Sequence, residues 1–198
     1  MRIYILFLTI ILLVLVENAL GQSKKDTHKS IINEITEEHK GSLIKASRKI
    51  KIPILKNAKF KDNEDELRIW TIDHFFIKSF ILRRKNDQWE ARYISFDNQE
   101  GKMKRDTFLK PKNGWQNLNQ YLKDNKLDFD LQLTPEEENF PIHPDALDFV
   151  IEARAGKKYT MYWYIMNTRV KDGKRVQNLC AKINKEFNIR FVCKYDVE

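Results

Sequence analysis

The chain is poor in the residues that usually announce chemistry. Its 198 residues contain two cysteines, Cys180 and Cys193, and four histidines. Two cysteines make no disulfide framework, so the fold has to rest on a hydrophobic core. They are also too few for a structural zinc site without histidines, and no histidine lies near them in sequence. Six glycines and five prolines leave no low-complexity tract, and no internal repeat is visible. There is no G-x-S-x-G, no H-E-x-x-H, no phosphate-cradling glycine loop and no Cys–His–Asn pattern. Nothing therefore sets a nucleophile beside a base or two imidazoles on one helix face. No metal and no cofactor is implied.

Long apolar runs are missing too, with one exception at the start. Arg2 precedes an apolar stretch from Ile3 to Val16, interrupted only by Thr9 and ended by Glu17 and Asn18. Ala19-Leu20-Gly21 then offers small residues at the two positions a signal peptidase reads. This predicts a signal peptide over 1–21, cleavage before Gln22 and a secreted or periplasmic product. The alternative is a retained N-terminal membrane anchor, but the run is shorter than the roughly 20 residues of a spanning helix. No cysteine stands near the cleavage point to carry a lipid. After cleavage no stable membrane span is expected.

The remainder, Gln22 to Glu198, is long enough to bury a core as one domain. We read 22–62 as an N-terminal helical segment with a linker and 63–198 as an α+β domain. Formal net charge is +8, and cleavage removes one base, Arg2, and one acid, Glu17. Such a charge permits binding to an acidic polymer. The lysines are nevertheless spread along the chain and mixed with acids, the pattern of an ordinary solvated surface.

Residues from Lys24 to about Ile50 are rich in helix formers. Ile31, Ile32, Ile35, His39, Leu43 and Ile44 recur near helical spacing, with a break suggested at Gly41. From Leu67 the texture becomes aromatic and β-branched. Leu67–Ile72, Phe75–Arg84 and Trp89–Phe96 read as strands, the last two joined through an Asn86-Asp87 turn. That register sets Phe80 opposite Tyr93 and Arg83 opposite Glu90. Asn98–Arg105 reads as a polar loop and Thr107–Leu109 as a short strand. Trp115, Leu118, Tyr121 and Leu122 form a helical stripe. Leu127, Phe129, Leu131 and Leu133 alternate as in a strand. Thr134-Pro135-Glu136-Glu137 is a helix-start signature. Leu147–Arg154 and Tyr159–Met166 make a hairpin through Gly156. Asp172-Gly173 reads as a break. Val176, Leu179, Cys180, Ile183 and Phe187 form a last helix face, with a final strand over Ile189–Val192. Strands joined by tight turns predict an antiparallel sheet with helices packed on one face.

Candidates for chemistry are few. Asp148 and Glu152 lie four apart on one strand side, a spacing that invites acid–base or cation-binding work. Their plainer reading is solvent-side positions partnered by Arg154 or lysines. His143, near Asp145, sits in a proline-bracketed loop, where rigid loops carry sites. His74 adjoins Asp73, but neighbours on a strand point to opposite faces, which opposes a dyad. Tyr162 and Tyr164 share one face and Tyr159 and Trp163 the other; one pair is available for stacking on sugars or bases, and the other must cover the core. Trp70, Trp89, Trp115 and Trp163 all fall in periodic apolar contexts, as packing residues do. Cys180 and Cys193 suit a disulfide between the last helix and a returning strand, or else two separate buried thiols.

The segments Glu66-Leu67-Arg68-Ile69-Trp70, Gly114-Trp115 with Leu118 and Leu122, Asp145–Glu152, and the Lys157-Lys158-Tyr159 hairpin together resemble a group of small secreted proteins of Bacteroidetes-type bacteria, to which no activity is attached. The resemblance spans Glu66 to Val192, about two thirds of the chain. Ala146 stands where the group tends to have glycine, Phe149 where it has tyrosine, and Thr168 follows Asn167 where it often has proline. The resemblance implies an exported, non-catalytic protein of a Gram-negative envelope.

Three functions follow as expectations. The first is a secreted or periplasmic non-enzymatic module that binds a partner, such as an envelope protein. The second is a polyanion-binding protein using its lysines. The third is a hydrolase of an envelope polymer acting through His143, Asp148 and Glu152.

Overall fold

Asn86 and Asp87 take φ angles of 48° and 59°, the left-handed pair that a type I′ turn requires. The turn joins β2 (Phe76–Lys85) to β3 (Gln88–Asp97). It sets Phe80 opposite Tyr93 and Arg83 opposite Glu90, the register expected from the sequence. The computed structural model containing this hairpin describes residues 40–59, 64–133, 148–165 and 170–191. Four further strands, β1 (Glu64–Ile72), β4 (Lys102–Leu109), β5 (Asp148–Ala155) and β6 (Lys158–Ile165), complete a six-stranded sheet in the order β4-β3-β2-β1-β5-β6. Every neighbouring pair is antiparallel. At the β5–β6 turn Gly156 supplies a φ of 55°, which costs glycine nothing.

One face of the sheet carries Leu67, Ile69, Phe80, Leu82, Ile151 and Tyr164. Two helices pack there, α2 (Gly114–Asp124) and α3 (Lys171–Phe187), through Leu118, Leu122, Val176, Leu179, Ile183 and Phe187. This is the α+β arrangement the sequence predicts. The opposite face presents Trp70, Ile77, Ile81, Ile94 and Val150. It is covered by α1, helical over 40–49, and the residues after it, through Leu43, Ala46, Ile50 and Ile52. The sequence reading gave this segment no place on the sheet. With both faces covered, β1 is buried at every position from Glu66 to Thr71, so two charged residues, Glu66 and Arg68, lie inside.

Several expectations need correction. β4 begins at Lys102, well before the short strand read at Thr107. Its outer residues are nearly all exposed, so no apolar alternation marks it; charge on an edge strand is what discourages pairing with another chain. Conversely, Leu127, Phe129, Leu131 and Leu133 are buried in alternation but join no ladder. Their pattern records an irregular segment, bent at 128–130, laid over the core with alternate side chains inward. Asp172 and Gly173 do not break the chain; they lie in the first turns of α3, where an acid suits the helix dipole and buried Gly173 packs closely. Gly41 is helical. Ile189 and Phe191 are buried without forming a strand. The expected signal segment, the helix start at Thr134 and the loop holding His143 lie outside the described residues. Among the described residues no helix is long and apolar enough to cross a membrane.

Candidate functional site

Burying β1 on both faces creates an electrostatic problem, and its solution shapes the site. Glu66, fully buried, accepts from Arg68 Nε with one carboxylate oxygen. Its other oxygen accepts from Arg83 Nε, on β2, at 2.6 Å. Arg68 also donates to the carbonyl of Pro53. A buried carboxylate is tolerated only with such partners, since an unpaired charge costs several kcal/mol.

The second buried acid, Glu152 on β5, lies opposite Arg68 in the ladder. Its carboxylate accepts from Leu55 N at 2.9 Å, Trp70 Nε1 at 2.8 Å and Tyr159 Oη at 3.0 Å. Burial pushes this carboxyl above the usual range, while Arg68 and the three donors pull against it without cancelling the rise. The Tyr159 phenol is pushed well above its ordinary value by burial and by the Glu152 charge. Arg154 donates to the carbonyl of Ala58 at 3.1 Å. Three charged side chains of the sheet, Arg68, Glu152 and Arg154, thus tie down the segment 53–58, which includes a 3₁₀ turn at Leu55–Asn57. The expectation that Glu152 faces solvent is overturned: its relative exposure is 0%.

Where this segment crosses the sheet it leaves a cleft of about 390 Å³. One wall is Lys51, Ile52, Pro53, Asn57, Ala58 and Lys59; the other is Arg68, Ile81, Arg83 and Arg92. Five of these are basic and none is acidic. Arg92 is held by Asp106 through two bonds of 2.7 Å, which raise its already high pKa against the opposing effect of burial. Arg83 spends only Nε on Glu66, and its side chain remains 42% exposed. Its terminal nitrogens make no hydrogen bond among the described residues. Lys51 and Lys59 are exposed and unpaired among the described residues.

Lys51 reaches the cleft through strained backbone. It closes α1 with φ of 57°, while Ile52 N donates to Ser47 O at 3.0 Å, the six-to-one bond of a Schellman motif. The same closure ends α3, where Ile189 N donates to Asn184 O at 3.2 Å. There the left-handed residue is Asn188, φ 52°, a type that tolerates this conformation. Lysine does not.

The other sequence candidates are dispersed. Asp148 opens β5, four residues along the strand from Glu152. His143 lies outside the described residues. Tyr164 is fully buried and Tyr162 packs beside it, so this pair faces the helices, while Tyr159 and Trp163 share the other face as expected. Asp73 accepts from Phe75 N and Phe76 N and shapes the β1–β2 turn; His74 is exposed there. Cys180 is buried on α3, its thiol pushed up by burial, and Cys193 lies outside the described residues. Among the described residues no three His, Cys, Asp or Glu side chains gather to hold a metal ion. The cleft itself was invisible in the sequence because its basic residues come from two separate stretches, 51–59 and 68–92. Comparison with protein-family models, curated proteins and solved structures gives no match to this chain.

Proposed function

We propose that the chain is an exported, non-enzymatic binding module, and that the basic cleft is where it takes an anionic ligand. The observation that carries this reading is a lining of five bases and no acid. The net charge of +8 favours the same class of partner, an acidic envelope polymer. A hydrolytic role for Glu152 finds little support, because its carboxylate is closed off and occupied by three donors. Export rests on the 1–21 segment and on the resemblance to small secreted proteins.

Heparin oligosaccharide is a convenient polyanion probe. Exposed lysines without a compact basic motif should give weak, salt-sensitive affinity, dominated by counterion release. A Lys51→Glu/Lys59→Glu variant should elute from heparin at clearly lower salt than the parent. Reversal of Lys171 and Lys174, exposed at the start of α3 where acids are tolerated, should have a smaller effect. Equal losses from both pairs would make the attraction diffuse and remove the cleft as its site. Mass spectrometry of the exported product should find a start at or near Gln22; an intact 1–21 segment in membranes would mean the anchored form.

A further inference from the structure

The sheet's helical face holds a second cleft, of about 530 Å³, lined by Asp87, Gln88, Trp89, Trp115, Gln116 and Asn119. Two elements meet there. The β2–β3 turn supplies Asp87, the start of β3 supplies Gln88 and Trp89, and the first turns of α2 supply the others. The indoles of Trp89 and Trp115 lie nearly parallel, their centroids 6.1 Å apart and their planes 18° from one another. Both are half-buried. Inner neighbours hold them in place: Phe129 at 5.4 Å from Trp89 and Phe187 at 6.1 Å from Trp115. The result is a rigid stacked pair of indoles beside a cleft whose volume is typical of small-ligand clefts, about 300–1,000 Å³.

The polar rim is unusual in what it leaves unused. Elsewhere along α2 and its ends the carboxamides are engaged. Asn113 bonds Glu186, Asn117 bonds the carbonyl of Asn113, Gln120 bonds Asp124 and Asn125 bonds the carbonyl of Tyr121. The side chains of Asp87, Gln88, Gln116 and Asn119 make no hydrogen bond among the described residues, and all four line the cleft. We infer that this cleft binds a neutral saccharide, a site separate from the basic cleft on the other face.

The chemistry favours that class. A carboxamide offers donors and acceptors together, and a carboxylate offers acceptors; sugar hydroxyls are both at once. The half-buried indoles stack on one another, so it is their remaining exposed surface that offers an apolar patch to the C–H face of a pyranose ring, as aromatic side chains do where one side of a ligand is apolar and its edge polar. No cation lines the cleft, so a phosphate or uronate has no anchor. Arg84, whose guanidinium lies over the Trp89 ring at 5.8 Å, is committed to Asp65 at 2.6 and 3.1 Å. Asp87 would repel a nucleic-acid backbone. The sequence signal was faint because Trp89 and Trp115 belong to different elements, and each alone looks like packing.

The test is a titration of the mature chain with neutral hexasaccharides of β-1,4-glucose, β-1,4-xylose and α-1,4-glucose and with the β-1,4-N-acetylglucosamine tetramer, followed by tryptophan fluorescence and calorimetry. At least one should bind saturably with a spectral shift. A Gln116→Ala/Asn119→Ala variant, altered only at the rim, should keep the parental melting temperature and weaken that binding at least tenfold. Lys51→Glu/Lys59→Glu should leave it unchanged, which separates this site from the anionic one. No saturable binding by any of the four sugars overturns the inference, as does full affinity in the rim variant. So does a saturable shift given instead by a polyproline peptide or an oligothymidylate.

Discussion

Trp70 donates its indole N–H to Glu152 at 2.8 Å, joining β1 to β5 beneath the segment that walls the basic cleft. Glu152 lies on the sheet side of that contact and Leu55 on the other, so one carboxylate fixes both the sheet and the turn above it. Burial keeps its pKa above the ordinary range. A folded-state pKa above the unfolded value, about 4.3, means the folded chain holds this proton more tightly. Stability from this group is therefore greatest at low pH and falls as pH rises from about 4.3 through the raised value. Urea unfolding across that window should show the parent losing stability relative to Glu152→Gln. Parallel curves would mean that the Glu152 pKa is not raised on folding.

The Tyr159 hydroxyl tests the same network with less disturbance. Tyr159→Phe removes one donor from Glu152 and leaves the ring in place. The cost should be about 1–3 kcal/mol, the usual price of leaving a buried polar group short of a partner, read as a lower urea midpoint with an unchanged slope. A variant as stable as the parent would mean that the other donors suffice.

Another buried acid behaves oppositely. Glu186, near the end of α3, accepts from Asn113 Nδ2 at 2.8 and 3.0 Å, from Asn113 N at 3.2 Å and from Lys182 at 2.9 Å. Burial pushes its carboxyl up, but the Asn113 side chain and Lys182 more than offset this and hold it below the usual range. Its contribution is complete above about 4.3 and is lost as pH falls through the lowered value. Asn113→Ala should cost about 1–2 kcal/mol at neutral pH and flatten the acid limb of the stability curve. An acid limb identical to the parent's would count against this assignment.

These acids show where the sequence was readable and where it was not. The β2–β3 register was legible because a two-residue turn fixes pairing locally, and the Phe80–Tyr93 match follows. The split of Tyr162 and Tyr164 from Tyr159 and Trp163 followed from strand alternation alone. Glu152 was misplaced because alternation assumes one wet face, whereas α1 covers that face through Leu43, Ala46 and Ile50. Leu127–Leu133 misled for a related reason: alternating burial reports which side is inward, and a ladder needs a neighbouring strand as well. Both clefts depend on pairings between distant segments, which no local pattern encodes.

The cysteines offer a check on export. Cys180 is buried within the helical core, and burial keeps its thiol protonated, so thiol exchange in the folded chain should be slow. Cys180 is a free thiol in this structure, so a bridge to Cys193 would have to form before α3 packs, in the oxidising compartment that an exported chain enters. Denatured, unreduced exported protein should show no free thiol. Two thiols per chain would exclude the bridge.

Lys51 gives the sharpest link between stability and binding. A non-glycine residue in the left-handed region carries roughly 1–2 kcal/mol of strain, and Lys51, at φ 57°, carries it at the mouth of the basic cleft. Glycine relieves the strain but adds chain entropy to the unfolded state, which returns part of the gain. Lys51→Gly should therefore be more stable by about 0.5–1 kcal/mol and should elute from heparin at lower salt. The Schellman closure at Ile52 N and Ser47 O survives in that variant, so the cleft wall stays in place and the loss reports the missing charge. Lys51→Asn should fall between parent and glycine in stability while losing the same binding. Variants that lose stability together with affinity would show that the lysine is needed to hold the turn, and the affinity loss would then not report the missing charge.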